Sequence, residues 1–143
     1  MPDYPMPAFH FTVEWGGTKV GFSEASGLTM ETEVIEYRDG ANPEYGPLKM
    51  PGIPSYGNIT LKRGVMPSDN EFFEWLNTTA LNTVERRDLT ISLLNEDHEP
   101  VMTWRVQNAF PVKVEGPELN ATGNDVAIET LEIAHEGLTI ETP

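Results

Sequence analysis

Cysteine is absent from the 143 residues. That excludes a disulfide scaffold, a thiolate zinc site and a cysteine nucleophile. Cations are scarce: Lys and Arg number nine against 23 Asp and Glu, a formal net charge of −14. A phosphate-binding groove rests on clustered cations, as does docking on an anionic membrane, so both are disfavoured. No apolar run approaches the roughly 20 residues of a membrane-spanning helix. The segment Met1-Pro2-Asp3-Tyr4-Pro5-Met6-Pro7 has neither a basic nor an apolar region and is not expected to be a secretory signal. Apolar residues make up only 38%, so some sheet faces are expected to be polar on both sides. The length fits a single domain over 1–143, and a compact monomer of this mass would expose roughly 7,000 Å².

What is present is mostly strand pattern. Phe9, Phe11, Val13 and Trp15 alternate with His10, Thr12 and Glu14, the period of a half-buried strand. Gly16-Gly17 suits a tight hairpin, with Lys19 to Ser23 as the returning strand. Leu28 to Tyr37 reads as a longer strand with mixed faces. Arg38 to Gly57 carries Pro43, Pro47, Pro51 and Pro54, a density that cannot continue a central strand, and is expected to be an extended Pro/Gly-rich loop. Tyr45, Leu48, Met50, Ile53 and Tyr56 are interleaved in it. They either fold back on the core or meet another subunit. Asn58 to Val65 predicts a strand with Ile59 and Leu61 inward and Thr60 and Lys62 outward.

The one strong helix signal follows. Ser68 and Glu71 fit a capping box, and Phe72, Phe73, Trp75, Leu76 and Ala80 give an apolar side from about Asp69 to Leu81, ending near Asn82. Phe72, Phe73, Trp75 and Leu76 are read as a helix face packed on a sheet. Asp88 to Leu94 and Met102 to Val106 form a hairpin about a polar turn at 95–100. Val112 and Val114 mark a short strand, Asn120 to Asp125 a turn, and Val126 to Glu136 a final long strand. That strand shifts its apolar phase, and Gly137 stops it. Seven or eight strands and one helix imply a mainly β fold, an antiparallel barrel or sandwich with a flanking helix.

Chemistry-bearing patterns are few. His10, His98 and His135 have no metal-ligand spacing, and the acidic turn at 95–99 lacks the calcium-loop pattern. There is no nucleophile elbow, phosphate loop or dinucleotide fingerprint. No catalytic, cofactor-binding or metal residue is assigned. Long antiparallel strands with open edges are an aggregation hazard in a free monomer, and assembly that pairs those edges removes it. A self-assembling sheet protein is therefore favoured over a lone ligand-binding barrel, which would need an apolar cavity.

Several segments, in order, carry a resemblance. They are Phe11-Thr-Val-Glu-Trp15, Gly21-Phe-Ser-Glu-Ala-Ser-Gly-Leu28, Glu36-Tyr-Arg-Asp-Gly40 with the proline loop, and Asn58-Ile-Thr-Leu-Lys-Arg-Gly64. They continue with Trp104-Arg-Val-Gln-Asn-Ala-Phe-Pro-Val-Lys113 and Val126-Ala-Ile-Glu-Thr-Leu-Glu-Ile-Ala-His-Glu-Gly137. Together these resemble the tail-tube proteins of contractile phages. The likeness is to the inner-tube subunit of phage-tail-like contractile injection systems in particular, and to the haemolysin-coregulated tube protein of type VI secretion.

The resemblance implies a β-barrel with one helix and no enzymatic role. It implies hexameric rings stacked into a hollow conduit that a contracting sheath drives through a target envelope. The implied partners are other copies of itself, a sheath protein, baseplate, spike and tube-terminating proteins, and cargo or DNA in the lumen, with no cofactor. The implied location is the bacterial cytoplasm during assembly, then a phage tail or extracellular particle. A tube-initiator or baseplate-proximal paralogue of the same machine is the alternative. In this light the strands around 29–37, 58–63 and 126–135 are candidates for the inner sheet. Glu31, Glu33, Thr60, Lys62, Thr130 and Glu132 then face the lumen, a ring contact or plain solvent. Pro43, Tyr45, Pro47, Leu48, Met50 and Ile53 become the ring-stacking loop, and an acidic lumen would keep polyanions from sticking.

Overall fold

The computed structural model describes residues 5–8, 10–16, 21–38, 40–41, 46, 48–67, 69–80 and 85–142. Phe9, Gly17, Lys19, Pro43, Tyr45, Pro47, Ser68, Leu81 and Asn82, named in the sequence reading, lie outside them.

Nine strands and one helix are described. β1 (Phe11–Glu14) pairs β6 (Arg87–Leu94), and β6 pairs β7 (Pro100–Glu115) as expected from the hairpin pattern. β7 is a single strand of 16 residues, so the short strand expected at 112–114 is its far end. The strand bends at Asn108, whose φ is 53°. Asp88 holds the corner by accepting the Asn108 N–H at 3.0 Å, and the Asn108 side-chain amide donates to Glu136 at 3.1 Å. Before the bend β7 runs between β6 and β9 (Gly137–Glu141); after it, Phe110–Glu115 pairs β8 (Ile128–Ala134). Gly137, expected to stop the chain's last strand, opens β9 instead.

β8 pairs β5 (Ile59–Gly64), and β5 pairs β2 (Glu24–Ser26). The returning strand expected at 19–23 is not formed over the described residues 21–23. β2 follows it and lies on β5, not beside β1. Gly27 (φ +88°) makes this possible, because a Cβ there would run into the Asn58 carbonyl. The order β1-β6-β7-β8-β5-β2 ends at β1 and β2, each with one edge unpaired among the described strands. Among the described strands the sheet is thus bent into a sandwich but does not close as a barrel.

The core lies between the halves. Ile59, Leu61, Leu131 and Ile133 of one half meet Leu89, Ile91, Val106 and Ala109 of the other. α1 (Glu71–Ala80) packs against β7. Its first turn is capped by Asp69, which accepts the Glu71 N–H at 3.1 Å. Phe72 and Trp75 are buried beside Trp15, with Trp15–Phe72 ring centroids 5.2 Å apart. Leu76 is half-buried. Phe73 departs from the expected helix–sheet face: it is 59% exposed, because it falls on the solvent side of a helix whose buried stripe is Phe72–Trp75.

The largest correction concerns 38–57. Leu48–Tyr56 is a strand, β4, paired antiparallel with β3 (Met30–Tyr37) over nearly its full length. The prolines fit because β4 is an edge strand; Pro51 and Pro54 flank a bulge opposite Thr32 and Val34. Gly52 belongs in that bulge, since a Cβ there would sit 2.9 Å from the Glu33 carbonyl oxygen. β3 and β4 form a two-stranded sheet of their own, and every residue of β3 is exposed. They make an arm that stands off the body. The chain accordingly exposes 10,077 Å², about 3,000 Å² more than a compact monomer of this mass.

Candidate assembly surfaces

Among the described residues three surfaces are left without a partner: a polar sheet face, the arm, and the strand edges beside a groove.

The polar face belongs to the half-sheet formed by Phe110–Glu115 of β7 with β8, β5 and β2. Strand alternation sends Ile59, Leu61, Leu131 and Ile133 into the core and leaves the other parity outside. Register then sets Thr60 opposite Glu132, Lys62 opposite Thr130, Lys113 opposite Glu132 and Glu115 opposite Thr130. These six residues line one shallow hollow of about 230 Å³. Four of the six polar positions proposed from sequence are therefore brought together: Thr60, Lys62, Thr130 and Glu132. Glu31 and Glu33 are not. They lie on the arm, because β3 does not join this sheet. β2 and the far end of β7 take the place that sequence reasoning gave to 29–37.

The face is close to charge-balanced. Lys62 pairs Glu24 at 3.4 Å, and Lys113 pairs Glu115 at 2.7 Å. The Lys113–Glu115 hydrogen bond, reinforced by their opposite charges, holds the Glu115 carboxyl below its usual range and the Lys113 ammonium above its own. Asn58 donates to Glu132 at 3.0 Å. Most of the −14 charge lies elsewhere.

Behind this face is a residue that sequence reasoning missed. Arg63 is fully buried. Its Nε donates to Glu129 at 2.7 Å and its Nη2 to Asp69 at 3.1 Å. Its guanidinium stacks on Phe72, 4.1 Å from the ring centroid. The parity of β5 puts residue 63 inward with Ile59 and Leu61, so an inward charge was a readable anomaly.

On the arm, register gathers the apolar residues at the distal end. Tyr37 faces Leu48 and Ile35 faces Met50. All four share one face and all are about half exposed. Leu48 and Met50, assigned to stacking, thus stand together, joined by Ile35 and Tyr37, which were not. Ile53, 78% exposed, lies apart in the bulge. At the arm's root the His135 ring sits between the Gly57 carbonyl at 3.1 Å and the Gly137 carbonyl at 3.2 Å. The His10 and His98 rings lie 5.0 Å apart, tilted by 48°. Among the described residues no three His, Asp or Glu side chains converge to hold a metal, and no helix is long and apolar enough to cross a membrane.

Comparison with known proteins agrees with a conduit-forming class. The model of the T4-like virus tail tube protein gp19 family matches residues 7–139. The chain belongs to that family, one of structural tube proteins. It is 40% identical to a chain in the cryo-EM structure of the anti-feeding prophage tube-terminating cap, with TM-score 0.90 over 100% of this chain and 95% of that one. It is likewise 40% identical to a chain of the PVC extracellular contractile injection system sheath–tube complex in its extended state, with TM-score 0.89 over 99% and 94%. Hcp1 of Flavobacterium johnsoniae shares the fold at 16% identity, with TM-score 0.57 over 93% and 95%. No curated protein sequence matches the chain.

Proposed function

We propose that copies of this subunit form hexameric rings that stack into the inner tube of a contractile injection system or phage tail. The observation that carries this is the four-stranded half-sheet. It has a buried face, a polar face, and two free lateral edges, β2 on one side and Phe110–Glu115 on the other. Joining the β2 edge of one copy to the β7 edge of the next makes one continuous sheet. Such a head-to-tail contact closes into a ring when its rotation closes. The core faces then lie outward under α1, and Thr60, Lys62, Lys113, Glu115, Thr130 and Glu132 line the lumen. Three carboxylates (Glu24, Glu115, Glu132) against two ammonium groups make that lumen mildly acidic, not strongly so. Polyanionic cargo or DNA would slide on a face that offers paired charges and no free cationic stripe.

The arms extend between rings, and their apolar faces supply the stacking contact. A sheath protein surrounds the tube, with baseplate, spike and terminating proteins at its ends. Assembly takes place in the bacterial cytoplasm and the product works as a tail or extracellular particle. The likeness to a chain in the anti-feeding prophage baseplate structure, at 25% identity and TM-score 0.84, supports one second reading, a tube-initiating or baseplate-proximal paralogue. Negative-stain microscopy of the purified protein, alone and with its sheath, separates them. Long hollow tubes from this chain alone support the main tube subunit; single rings that never lengthen support the paralogue; neither form overturns both.

A further inference from the structure

His135 sits where one protonation state of its ring fits and the other does not. Its Nε2 lies 3.1 Å from the Gly57 carbonyl oxygen and its Nδ1 lies 3.2 Å from the Gly137 carbonyl oxygen. A neutral imidazole has one N–H and one lone pair, so it donates to one of these oxygens and turns its lone pair on the other. The imidazolium has two N–H groups and donates to both. We propose that His135 is a pH-sensitive latch that fixes the root of the arm to the body. Closed, the ring bridges the two carbonyls. As the pH rises and one ring proton leaves, one of the two bonds is lost and the arm gains freedom to swing. The latch is a property of the single chain and does not rest on the tube reading.

The two carbonyls belong to different parts of the fold. Gly57 is in the joint through which β4 passes the chain to β5, and Gly137 opens β9. His135 stands between β8 and β9, so its ring reaches from a corner of the body to the arm. Both carbonyls are held by close packing. A Cβ at Gly57 would run into the Thr29 hydroxyl, and one at Gly137 would lie 3.0 Å from the Gln107 side-chain oxygen. The other ties near the joint are modest. The Gly57 N–H reaches the Thr29 carbonyl at 3.3 Å, and Tyr56 makes a tilted ring contact with His135, centroids 5.4 Å apart. Beyond the joint, β3 and β4 make their main contacts with each other. β3 runs eight residues outward, about 26 Å of strand, so a small turn at the root is a large displacement at the tip. An arm already set at one angle has less freedom to lose when it is bound.

The charged groups around the ring are engaged elsewhere. On β8, Glu132 accepts from the Asn58 amide at 3.0 Å. Glu136, next in the chain, pairs Arg86 at 2.8 Å and accepts from the Asn108 amide at 3.1 Å. β7 and β9 contribute the Arg105–Glu141 pair at 2.9 Å and the neutral Gln107. β4 contributes Tyr56. Both ring nitrogens are thus directed at main-chain oxygens, which do not titrate. The group that changes between mildly acid and mildly alkaline pH is the imidazole itself.

The absence of native cysteine lets two spin labels be placed cleanly. Lys49→Cys on β4 and Glu96→Cys in the β6–β7 turn are both exposed positions. The distribution of distances between the labels is measured by double electron–electron resonance on dilute subunit at about pH 5.5 and about pH 8, either side of the ordinary histidine value. The same pair is read in His135→Phe and His135→Gln, neither of which titrates; two variants guard against one failing to fold, which circular dichroism detects. With His135 present, the latch predicts a narrow distribution at the lower pH that broadens on the order of twofold at the higher. In both variants the distribution is broad at each pH. Nitrogen-15 NMR of the ring counts two N–H groups in the narrow state and one in the broad state. An unchanged width in the His135 chain would overturn the latch, as would a broadening that the variants share or a ring with a single N–H at the lower pH. Absence of tubes at every pH would count against the tube reading and leave the latch standing.

Discussion

Arg63 has the most to lose among single residues. Breaking a buried ion pair by removing one partner costs about 3–5 kcal/mol, because the other charge is left unpaired. Here Asp69 and Glu129, with side chains 14% and 13% exposed, both depend on the one guanidinium. Asp69 also caps α1. Arg63→Ala is therefore expected to lower stability by about that amount, read as a fall in urea midpoint; a change under 1 kcal/mol would show the site to be wetter than its burial indicates. The Lys113–Glu115 pair behaves differently, because both groups lie on the surface. Its stabilising effect is lost on the acid side as pH falls through the lowered Glu115 value. It is lost on the alkaline side as pH rises through the raised Lys113 value. Between the ordinary values of 4.5 and 10.5 it is constant. Lys113→Met is expected to leave the shape of the stability–pH curve unchanged across that window. At this scale the sequence was half legible. Ile59, Leu61, Phe72 and Trp75 announced their burial by period, and the same parity pointed Arg63 inward; its ion partners, 6 and 66 residues away, were not legible.

The arm is the element on which assembly turns, and it was the least legible one. Its prolines and glycines exclude a central strand, and local pattern does not distinguish a loop from an edge strand whose bulge accommodates them. β9 was hidden for a related reason: Gly137 reads as a stop, and only the pairing with Thr103–Gln107 makes it a start. The β6–β7 hairpin was legible because its alternation is uninterrupted. An isolated two-stranded hairpin is marginally stable in water. Amides of β3 and β4 should therefore exchange rapidly in the free subunit, while those of β5 and β8 stay protected. In tubes the arm amides should slow by at least tenfold, measured by hydrogen exchange; equal rates in both states would remove the arm from the contact. Leu48→Asp places a charge in the centre of the distal face. It should leave the subunit's circular dichroism and melting unchanged and stop stacking, and long tubes of this variant under the microscope would contradict the assignment.

For the molecule as a whole, the surplus of exposed surface and the net charge act in opposite directions. About 3,000 Å² beyond the compact expectation exceeds a standard interface of about 1,600 Å². Against this, subunits of charge −14 repel one another, and the repulsion is screened over about 8 Å at physiological ionic strength. Tube growth should accelerate between about 50 mM and 300 mM salt, as followed by light scattering; slower growth would mean that intersubunit ion pairs, not apolar faces, dominate. The sheet edges, the arm and the groove all lead to the same requirement, that neighbouring copies cover what one copy cannot. Sedimentation velocity of the purified chain over a hundredfold range of concentration tests this most directly. The account predicts conversion from small species to large assemblies as concentration rises. A single 15.9 kDa species throughout, at every salt concentration, would contradict it.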